Sequence, residues 1–270
     1  MKSQLIVYWR FLIHNHMSKE NKIRIALLSD LHLTSDKKPI WGVDTYAYFQ
    51  KAINRLSTIP RIDCIIVCGD IANDGLVETY TYADYEFQKL GIPTFWCPGN
   101  HDNLNNYYDF GHKSFSKLSG IYDVGGFRLI SLCSVTHDEN DPSQNRARGL
   151  IKDEDLVSLN EILSVSEMPC IVFFHHPSIE PGGWLSNKIL INREELNHII
   201  HTHCQVKAVL YGHIHYYIEH NEGSTVYISS PAVGYAFNKD LPKFQIATGE
   251  EGFVIIDISE LKVNTEIVRI

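Results

Sequence analysis

The sequence predicts an α/β protein with two packed β-sheets and helices on their outer sides. Two observations support this fold class. Eight short runs rich in Ile, Val, Leu and Phe recur along the chain, and such runs are typical of strands buried on both faces. Longer segments with helical spacing lie between the early runs, as expected for α/β layers. The second half has more strand and less helix, which favours two sheets over one.

The predicted strands each end near a polar cluster or a turn. In chain order they are IRIALLSD, CIIVCGD, TFWCPGN, FRLISLCS, CIVFFHH, KAVLYGH, TVYISSP and FVIIDIS.

Four segments between these strands have helical spacing. Asp44 is a predicted N-cap for the first, DTYAYFQKAINRLSTI. Gly91 and Pro93 end the second, TYTYADYEFQKLG. The third, KDEDLVSLNEILS, carries acidic residues early, where the helix dipole favours them. The fourth is NREELNHIIHTH.

Length and composition indicate one sizeable domain. The chain has 270 residues, 44% of them hydrophobic, which suits a single core. We expect residues 22–270 to form this domain and residues 1–21 to be an extension. The apolar stretch LIVYWRFLI in the extension is broken by Arg10 and is too short to span a bilayer, so stable membrane insertion is not expected.

Charge and cysteine usage narrow the function classes. The formal net charge of -8 argues against a long nucleic acid as partner, because such binding needs many Lys and Arg residues on phosphates. It leaves open a small anionic substrate, whose binding depends on the local field of a cleft. The six cysteines lie mostly in apolar runs, without the pairing of a disulfide framework, so a cytoplasmic setting is expected. The sequence gives no indication of oligomeric state.

Five of the apolar runs end in short polar clusters. Ligands in α/β sheets gather just beyond the carboxyl ends of strands, so residues distant in sequence can meet there. The clusters are Asp30-Leu31-His32, Gly69-Asp70, Gly99-Asn100-His101-Asp102, His175-His176-Pro177 and Gly212-His213-Ile214-His215.

The residue types in these clusters suit a centre for two metal ions. Such a centre needs a shared ligand and open positions around two divalent ions. Carboxylate bridges well, imidazole suits Zn, Mn and Fe, and an amide carbonyl adds a neutral oxygen ligand. Each cluster alone is more often a turn or a cap. The five together, each after a strand-like run, favour a metal site.

As a set, these motifs resemble the calcineurin-like metallophosphoesterases over about residues 23–215. The resemblance implies that family's sandwich of two mixed β-sheets flanked by α-helices. It also implies two divalent metal ions, Fe or Mn in first place and Zn as a further possibility. The implied ligands of one ion are Asp30, His32 and His215, those of the other are Asn100, His175 and His213, and Asp70 is shared by both.

The resemblance further implies catalytic roles for two residues. His101 corresponds to the histidine that binds the substrate phosphate and protonates the leaving oxygen, and Asp102 is expected to orient and charge it. In the pair His175-His176, we predict the first as the ligand.

A narrower resemblance connects the chain to the bacterial class III cyclic nucleotide phosphodiesterases. It rests on HHPSIEPGGWLSNKILINREEL, VKAVLYGHIH, SSPAVGYAF and EEGFVIID. It implies hydrolysis of 3',5'-cyclic AMP to 5'-AMP by attack of a hydroxide that bridges the metals. The polar loop 136–148 is expected to influence substrate preference.

Two other functions stay open at this point. The chain could be a phosphodiesterase of the same family that acts on glycerophosphodiesters or other small phosphodiesters. It could also be a non-catalytic scaffold of this fold, although the complete set of ligands argues against that reading. Activity on cyclic AMP compared with activity on glycerophosphocholine separates the two phosphodiesterase hypotheses. Failure to bind two metals would favour the scaffold.

Overall fold

The computed structural model describes residues 21–136 and 146–270. Residues 1–20 of the expected extension and most of the loop 136–148 therefore lie outside the described residues. The helices are α1 (Thr45–Leu56), α2 (Val77–Leu90), α3 (Leu104–Gly111), α4 (Asp153–Val165) and α5 (Arg193–Thr202), with a 3₁₀ turn at Gly183–Leu185. The strands are β1 (Lys22–Leu28), β2 (Cys64–Cys68), β3 (Thr94–Cys97), β4 (Lys117–Leu118), β5 (Ile121–Val124), β6 (Phe127–Ser131), β7 (Cys170–Phe173), β8 (Val206–Tyr211), β9 (Ile218–Glu222), β10 (Thr225–Ser229), β11 (Gly252–Ser259) and β12 (Val263–Arg269).

The strands form two mixed sheets of six. The first sheet has the order β12-β11-β1-β2-β3-β4 and the second β5-β6-β7-β8-β10-β9. In each sheet the central strands are parallel, β1 to β4 in the first and β6, β7, β8 and β10 in the second. Antiparallel strands form the other three edges, with β11 and β12 in the first sheet and β5 and β9 in the second. The predicted fold class, two mixed sheets flanked by helices, is confirmed.

Alternation along the strands explains the layers. In β1, Ile25 and Leu27 contribute to the core between the two sheets, while Ala26 and Leu28 contribute to the core beneath helices α1 to α3. A third cluster packs α4 and α5 against the outer face of the second sheet. Successive strand residues point to opposite faces, so both faces of each central strand are buried and its sequence reads as an unbroken apolar run.

Two of the predicted helices have the end signals expected from the sequence. The Asp44 side chain accepts a hydrogen bond from the Ala47 amide, which caps α1. Gly91 ends α2 in the left-handed conformation at φ 65°. Among the described residues, no helix has the length and apolar composition needed to cross a membrane.

Candidate metal centre

Strand ends from both sheets meet at one place. Asp30, Asp70 and Asn100 follow β1, β2 and β3 of the first sheet, and His175 and His213 follow β7 and β8 of the second. The two sheets approach closely there. A Cβ on Gly212 would lie 2.6 Å from the Cβ of Ser29, and one on Gly69 would lie 2.5 Å from Nδ1 of His175. Only glycine fits at these two crossings.

The backbone at this meeting point is unusual. Five residues of the expected ligand set have left-handed backbone conformations, with φ between 47° and 71°: Asp30, His32, Asp70, His213 and His215. Residues with a Cβ adopt this region at a cost. Hydrogen bonds hold the turns in place, including those from the amides of Asp30 and His32 to the carbonyls of Gly69 and Asp70, at 3.0 and 2.9 Å.

The first group of side chains contains Asp30, His32 and His215, all buried. Nε2 of His32 lies 3.2 Å from Nε2 of His215, and Nε2 of His215 lies 3.2 Å from Oδ1 of Asp30. The three ligand atoms lie within 4.8 Å of one another, close enough to share one cation.

The second group contains Asn100, His175 and His213. Nε2 of His175 lies 3.1 Å from Oδ1 of Asn100 and 3.2 Å from Nδ1 of His213. Asp70 lies between the two groups, because its Oδ2 is 3.6 Å from Nε2 of His32 and 3.5 Å from Nε2 of His175. The structure thus brings all seven expected ligand residues together.

The outer nitrogens of three histidines are anchored by acceptors. Nδ1 of His175 lies 2.8 Å from the carbonyl oxygen of Cys68, and Nδ1 of His215 lies 2.6 Å from that of Tyr235. Nδ1 of His32 lies 3.0 Å from Oδ1 of Asn73. Because a carbonyl oxygen can only accept, each Nδ1 carries the proton and each Nε2 presents its lone pair to the centre. Metal-bound histidines are held in this way.

The imidazole nitrogens that face the centre are arranged to bind a cation and not to hydrogen-bond one another. Two nitrogens that face each other as lone pairs, as in the pair His32 and His215, repel unless a positive charge lies between them. Nε2 of His213 is buried and has no hydrogen-bond partner among the described residues, which buried polar atoms seldom lack. The residues present therefore fit two divalent ions.

Electrostatics keep these groups in their metal-binding forms, except at His175, where the charges of Asp70 and Asp30 outweigh burial and raise the pKa. Burial lowers the pKa of His32 to about 3 and holds the pKa of His213 well below its usual value. Burial would raise the pKa of Asp30 and Asp70, but the neighbouring histidines outweigh it and lower both. Neutral imidazoles and ionised carboxylates are the forms that bind metal.

His101 lies at the rim of the centre. Its side chain is exposed, and its ring meets that of His32 edge-on, with the centroids 4.9 Å apart. Its backbone amide donates to Oδ1 of Asp70 at 2.8 Å. The same carboxylate thus holds His101 with one oxygen and faces the ligand histidines with the other.

Asp102 differs from the sequence-based expectation. Its buried carboxylate accepts hydrogen bonds from the amides of Ile71, Ala72 and Gly99 and from the hydroxyl of Tyr80, at 2.8–3.3 Å. The predicted contact with the His101 ring is not among the hydrogen bonds of the described residues. These four donors occupy both oxygens, so Asp102 fastens the turn after β2 to the turn after β3.

His176 points away from the group around Asp70. Its Nδ1 lies 3.0 Å from Oγ of Ser134 and its Nε2 3.4 Å from the carbonyl oxygen of Arg146. Burial lowers its pKa to about 3. The structure therefore places His175, not His176, beside Asn100 and Asp70, although His176 also lies near His213.

Sequence reasoning missed the groups that hold the ligands. Two of them, at Cys68 and Tyr235, are backbone carbonyls and have no side-chain signature. Asn73 had a signal, since it follows Asp70 by three residues in the polar turn after β2.

Comparisons with known proteins agree with this geometry. The profile of the calcineurin-like phosphoesterase family matches residues 23–217. A 3',5'-cyclic-nucleotide phosphodiesterase of Nostoc sp. is 28% identical over 249 residues, which cover 90% of each chain. The 3',5'-cyclic adenosine monophosphate phosphodiesterase CpdA of Pseudomonas aeruginosa is 29% identical, with 83% of this chain and 80% of that protein covered. In fold, the chain is similar to a dimetal phosphatase from Danio rerio, with a TM-score of 0.61, 13% identity, and 90% and 98% of the two chains covered.

Proposed function

The chain belongs to the calcineurin-like phosphoesterase family, and on that premise we propose that it is a binuclear metal-dependent phosphodiesterase that hydrolyses 3',5'-cyclic AMP to 5'-AMP. The observation that carries this proposal is the convergence of six ligand-type side chains from both sheets around a seventh, Asp70. The relatives named as cyclic nucleotide phosphodiesterases support the substrate, because they match across most of the chain.

We assign the two groups around Asp70 to two ions. Asp30, His32 and His215 would hold one ion, and Asn100, His175 and His213 the other. Asp70 would serve both, which its 3.6 and 3.5 Å distances to His32 and His175 support. Imidazole with carboxylate and amide oxygen suits Mn, Fe or Zn. When bound, the two ions activate water for attack on phosphorus and offset the charge on the phosphoryl oxygens.

The charge of the protein ligands favours an anionic substrate. Asp30 and Asp70 are the only carboxylates among the seven proposed ligands, and the other five are neutral. Two divalent ions bring four positive charges, so the ligands leave part of that charge uncompensated. A phosphodiester is therefore attracted by the same residues that hold the ions.

We assign protonation of the leaving group to His101. The attacking water gives up one proton to solvent and its oxygen bonds to phosphorus, while the bond between phosphorus and O3' breaks and O3' takes a proton from the His101 ring. Its exposed ring can reach a bound ester, and the Asp70 carboxylate fixes its backbone. General acid catalysis of this kind typically contributes 10²–10⁴-fold. Asp102 acts as a positioning residue for the turns that carry Asp70 and Asn100.

The test is turnover by the metal-loaded protein. Loaded with Mn²⁺ or Fe²⁺, the chain should convert cyclic AMP to AMP, and both Asn100→Ala and His101→Ala should lose most of that turnover. His198→Ala, which removes an exposed histidine of α5, is the matched control and should keep it. Turnover of glycerophosphocholine without cyclic AMP turnover would keep the site and replace the substrate. Absence of two bound metals per chain would remove the binuclear centre.

A further inference from the structure

Five aromatic side chains form a continuous wall beside the metal centre. They come from three separate chain connections: Trp41 before α1, Trp184 between β7 and α5, and Tyr235, Phe237 and Phe244 between β10 and β11. Ring centroids lie 5.3 Å apart for Trp41 and Phe244, for Phe237 and Phe244, and for Trp184 and Phe237. We call these five residues the aromatic wall.

The inner end of the wall contacts the proposed metal ligands. The ring of Phe237 lies parallel to that of His215, with centroids 4.0 Å apart and an angle of 5° between the planes. The ring of Tyr235 stacks on that of His32 at 4.7 Å. From His215 outward the rings follow in the order Phe237, Phe244 and Trp41, with successive centroids 4.0, 5.3 and 5.3 Å apart. The wall leads from the buried ligands to the surface.

The outer end of the wall is open to solvent. Trp41 is 68% exposed and Phe244 is 41% exposed, so part of each ring is not packed in the core. Large exposed aromatics that continue from a buried site are typical of binding surfaces. The described residues therefore leave ring area available to a ligand at this end.

The conformation of Trp41 has no explanation in local structure. Trp41 and Gly42 form a two-residue turn between Ile40 and Val43, which exchange two backbone hydrogen bonds. Both turn residues have positive φ, 53° and 82°. Such turns favour Asn, Asp or Gly at the first position, and a bulky residue there is an outlier. Neither turn preference nor burial accounts for a tryptophan, whereas its hydrogen bond with Tyr235 and its ring contact with Phe244 hold the indole in the aromatic wall.

We propose that the aromatic wall is the binding site for the purine base of the substrate, held by stacking on Trp41 and Phe244. This inference rests on the proposed function. A cyclic nucleotide places phosphate, ribose and base in sequence. With the phosphate at the ligands, the base extends over the rings that follow His215 outward. Stacking on aromatic side chains stabilises bound bases and tolerates base identity, since every base has a π-face.

The first test compares two cyclic phosphodiesters. One is cyclic AMP and the other is the 3',5'-cyclic phosphate of methyl riboside, which has the same reacting group and no base. Trp41→Leu and Phe244→Leu should each lower kcat/KM for cyclic AMP about tenfold, mainly through KM. The base-free ester should change less than about twofold. Tyr85→Leu removes from α2 an aromatic whose exposure, 57%, lies between those of Trp41 and Phe244, and it should change turnover of neither substrate.

Two results would overturn the proposal. One is equal loss with both substrates, which would mean that the wall only holds its loops. The other is no loss of cyclic AMP turnover in the double variant Trp41→Leu with Phe244→Leu.

A binding measurement separates the wall from the reaction. Calorimetry with 5'-AMP and ribose 5-phosphate, on the wild type and on Trp41→Leu, should show tighter binding of 5'-AMP that depends on Trp41. If the chain hydrolyses no phosphodiester but keeps this preference, the proposed function fails and the base site stands. If 5'-AMP binds no better than ribose 5-phosphate, the base site fails whatever the activity.

Discussion

Nδ1 of His175 lies 2.8 Å from the carbonyl oxygen of Cys68, so a strand end of the first sheet fixes a ring carried by the second. The carbonyl accepts a hydrogen bond from Nδ1–H, which leaves Nε2 free to face Asp70 and Asn100. The contact needs close approach of the backbone after β2 and the backbone after β7, and the glycine that follows Cys68 permits it. The proposed metal centre therefore depends on a backbone crossing as well as on its ligands.

Substitution of Gly69 tests this crossing. In Gly69→Ala the new Cβ would lie 2.5 Å from Nδ1 of His175, so the ring must move and lose its anchor. We expect the free energy of unfolding to fall by more than about 2 kcal/mol, with loss of metal affinity. Urea unfolding and metal analysis measure the two effects. Gly91→Ala is the control, because Gly91 also has positive φ but open space around it; it should cost about 1 kcal/mol and leave metal binding intact.

Metal stoichiometry tests the assignment of the ligands. Elemental analysis of the purified, metal-loaded protein should give about two ions per chain for the wild type. His32→Ala should retain about one ion, whereas Asp70→Ala should retain fewer, because it removes a ligand from both groups. An Asp70→Ala protein with two ions bound would contradict the shared role of Asp70.

Removal of the metals should lower stability. Each proposed ion would bind the folded chain and not the unfolded one, and so would contribute RT ln(1 + [L]/Kd), about 4 kcal/mol at a free concentration a thousand times Kd. Chelation should therefore lower the melting temperature, and added Mn²⁺ should restore it. An unchanged melting temperature after verified metal removal would show that the side chains pack without need of a cation.

Acid should destabilise the metal-free protein. His32 and His176 have a pKa of about 3 when folded, because burial disfavours their charged forms, and about 6.5 when unfolded. Between these values the unfolded chain binds more protons, so the free energy of unfolding falls as pH decreases from 6.5 toward 3. Each histidine adds a slope of up to about 1.4 kcal/mol per pH unit.

Part of that slope is offset by His175. Burial lowers its pKa, but the charges of Asp70 and Asp30 outweigh burial and raise it, so its contribution is lost as pH rises. Urea midpoints between pH 7 and pH 5 measure the sum. His176→Asn should reduce the slope by up to about 1.4 kcal/mol per pH unit, the contribution of one histidine. An identical slope in that variant would exclude His176 as a cause of the acid destabilisation.

Asp102 and His101 should separate stability from catalysis. Asp102→Asn would turn an amide NH₂ toward donors that now bond to a buried carboxylate, and should lower the free energy of unfolding by about 2–3 kcal/mol.

His101→Ala changes an exposed side chain and should alter the free energy of unfolding by less than about 0.5 kcal/mol, while turnover falls by 10²-fold or more. Urea unfolding and cyclic AMP turnover measure both. A stable Asp102→Asn protein would contradict the fastening role.

Much of the fold was predictable because its central strands are buried on both faces. All eight predicted strands and four predicted helices are present. Sequence reasoning missed the four edge strands, β4, β5, β9 and β12. Their residues are largely half-buried or exposed. They lack a continuous apolar run. Helix α3 has eight residues, too few for a periodic pattern to stand out.

The candidate site was predictable to a similar extent, for a different reason. Side chains that follow neighbouring parallel strands must meet, so Asp30, Asp70 and Asn100 could be grouped from the strand pattern. The partners of Asp102 could not be grouped in this way. A carboxylate beside a histidine in sequence can face the ring or the backbone, and only the path of the turns decides which.

The left-handed turns at Asp30, His32, Asp70, His213 and His215 have a consequence for how such a chain evolves. Each costs on the order of 1–2 kcal/mol relative to a residue without a Cβ, and binding chemistry is what justifies the cost. A lineage of this fold released from selection for hydrolysis would gain stability by drifting to glycine at these five positions. Each such change would also remove one proposed ligand, so at these five positions stability and metal binding would be gained at each other's expense.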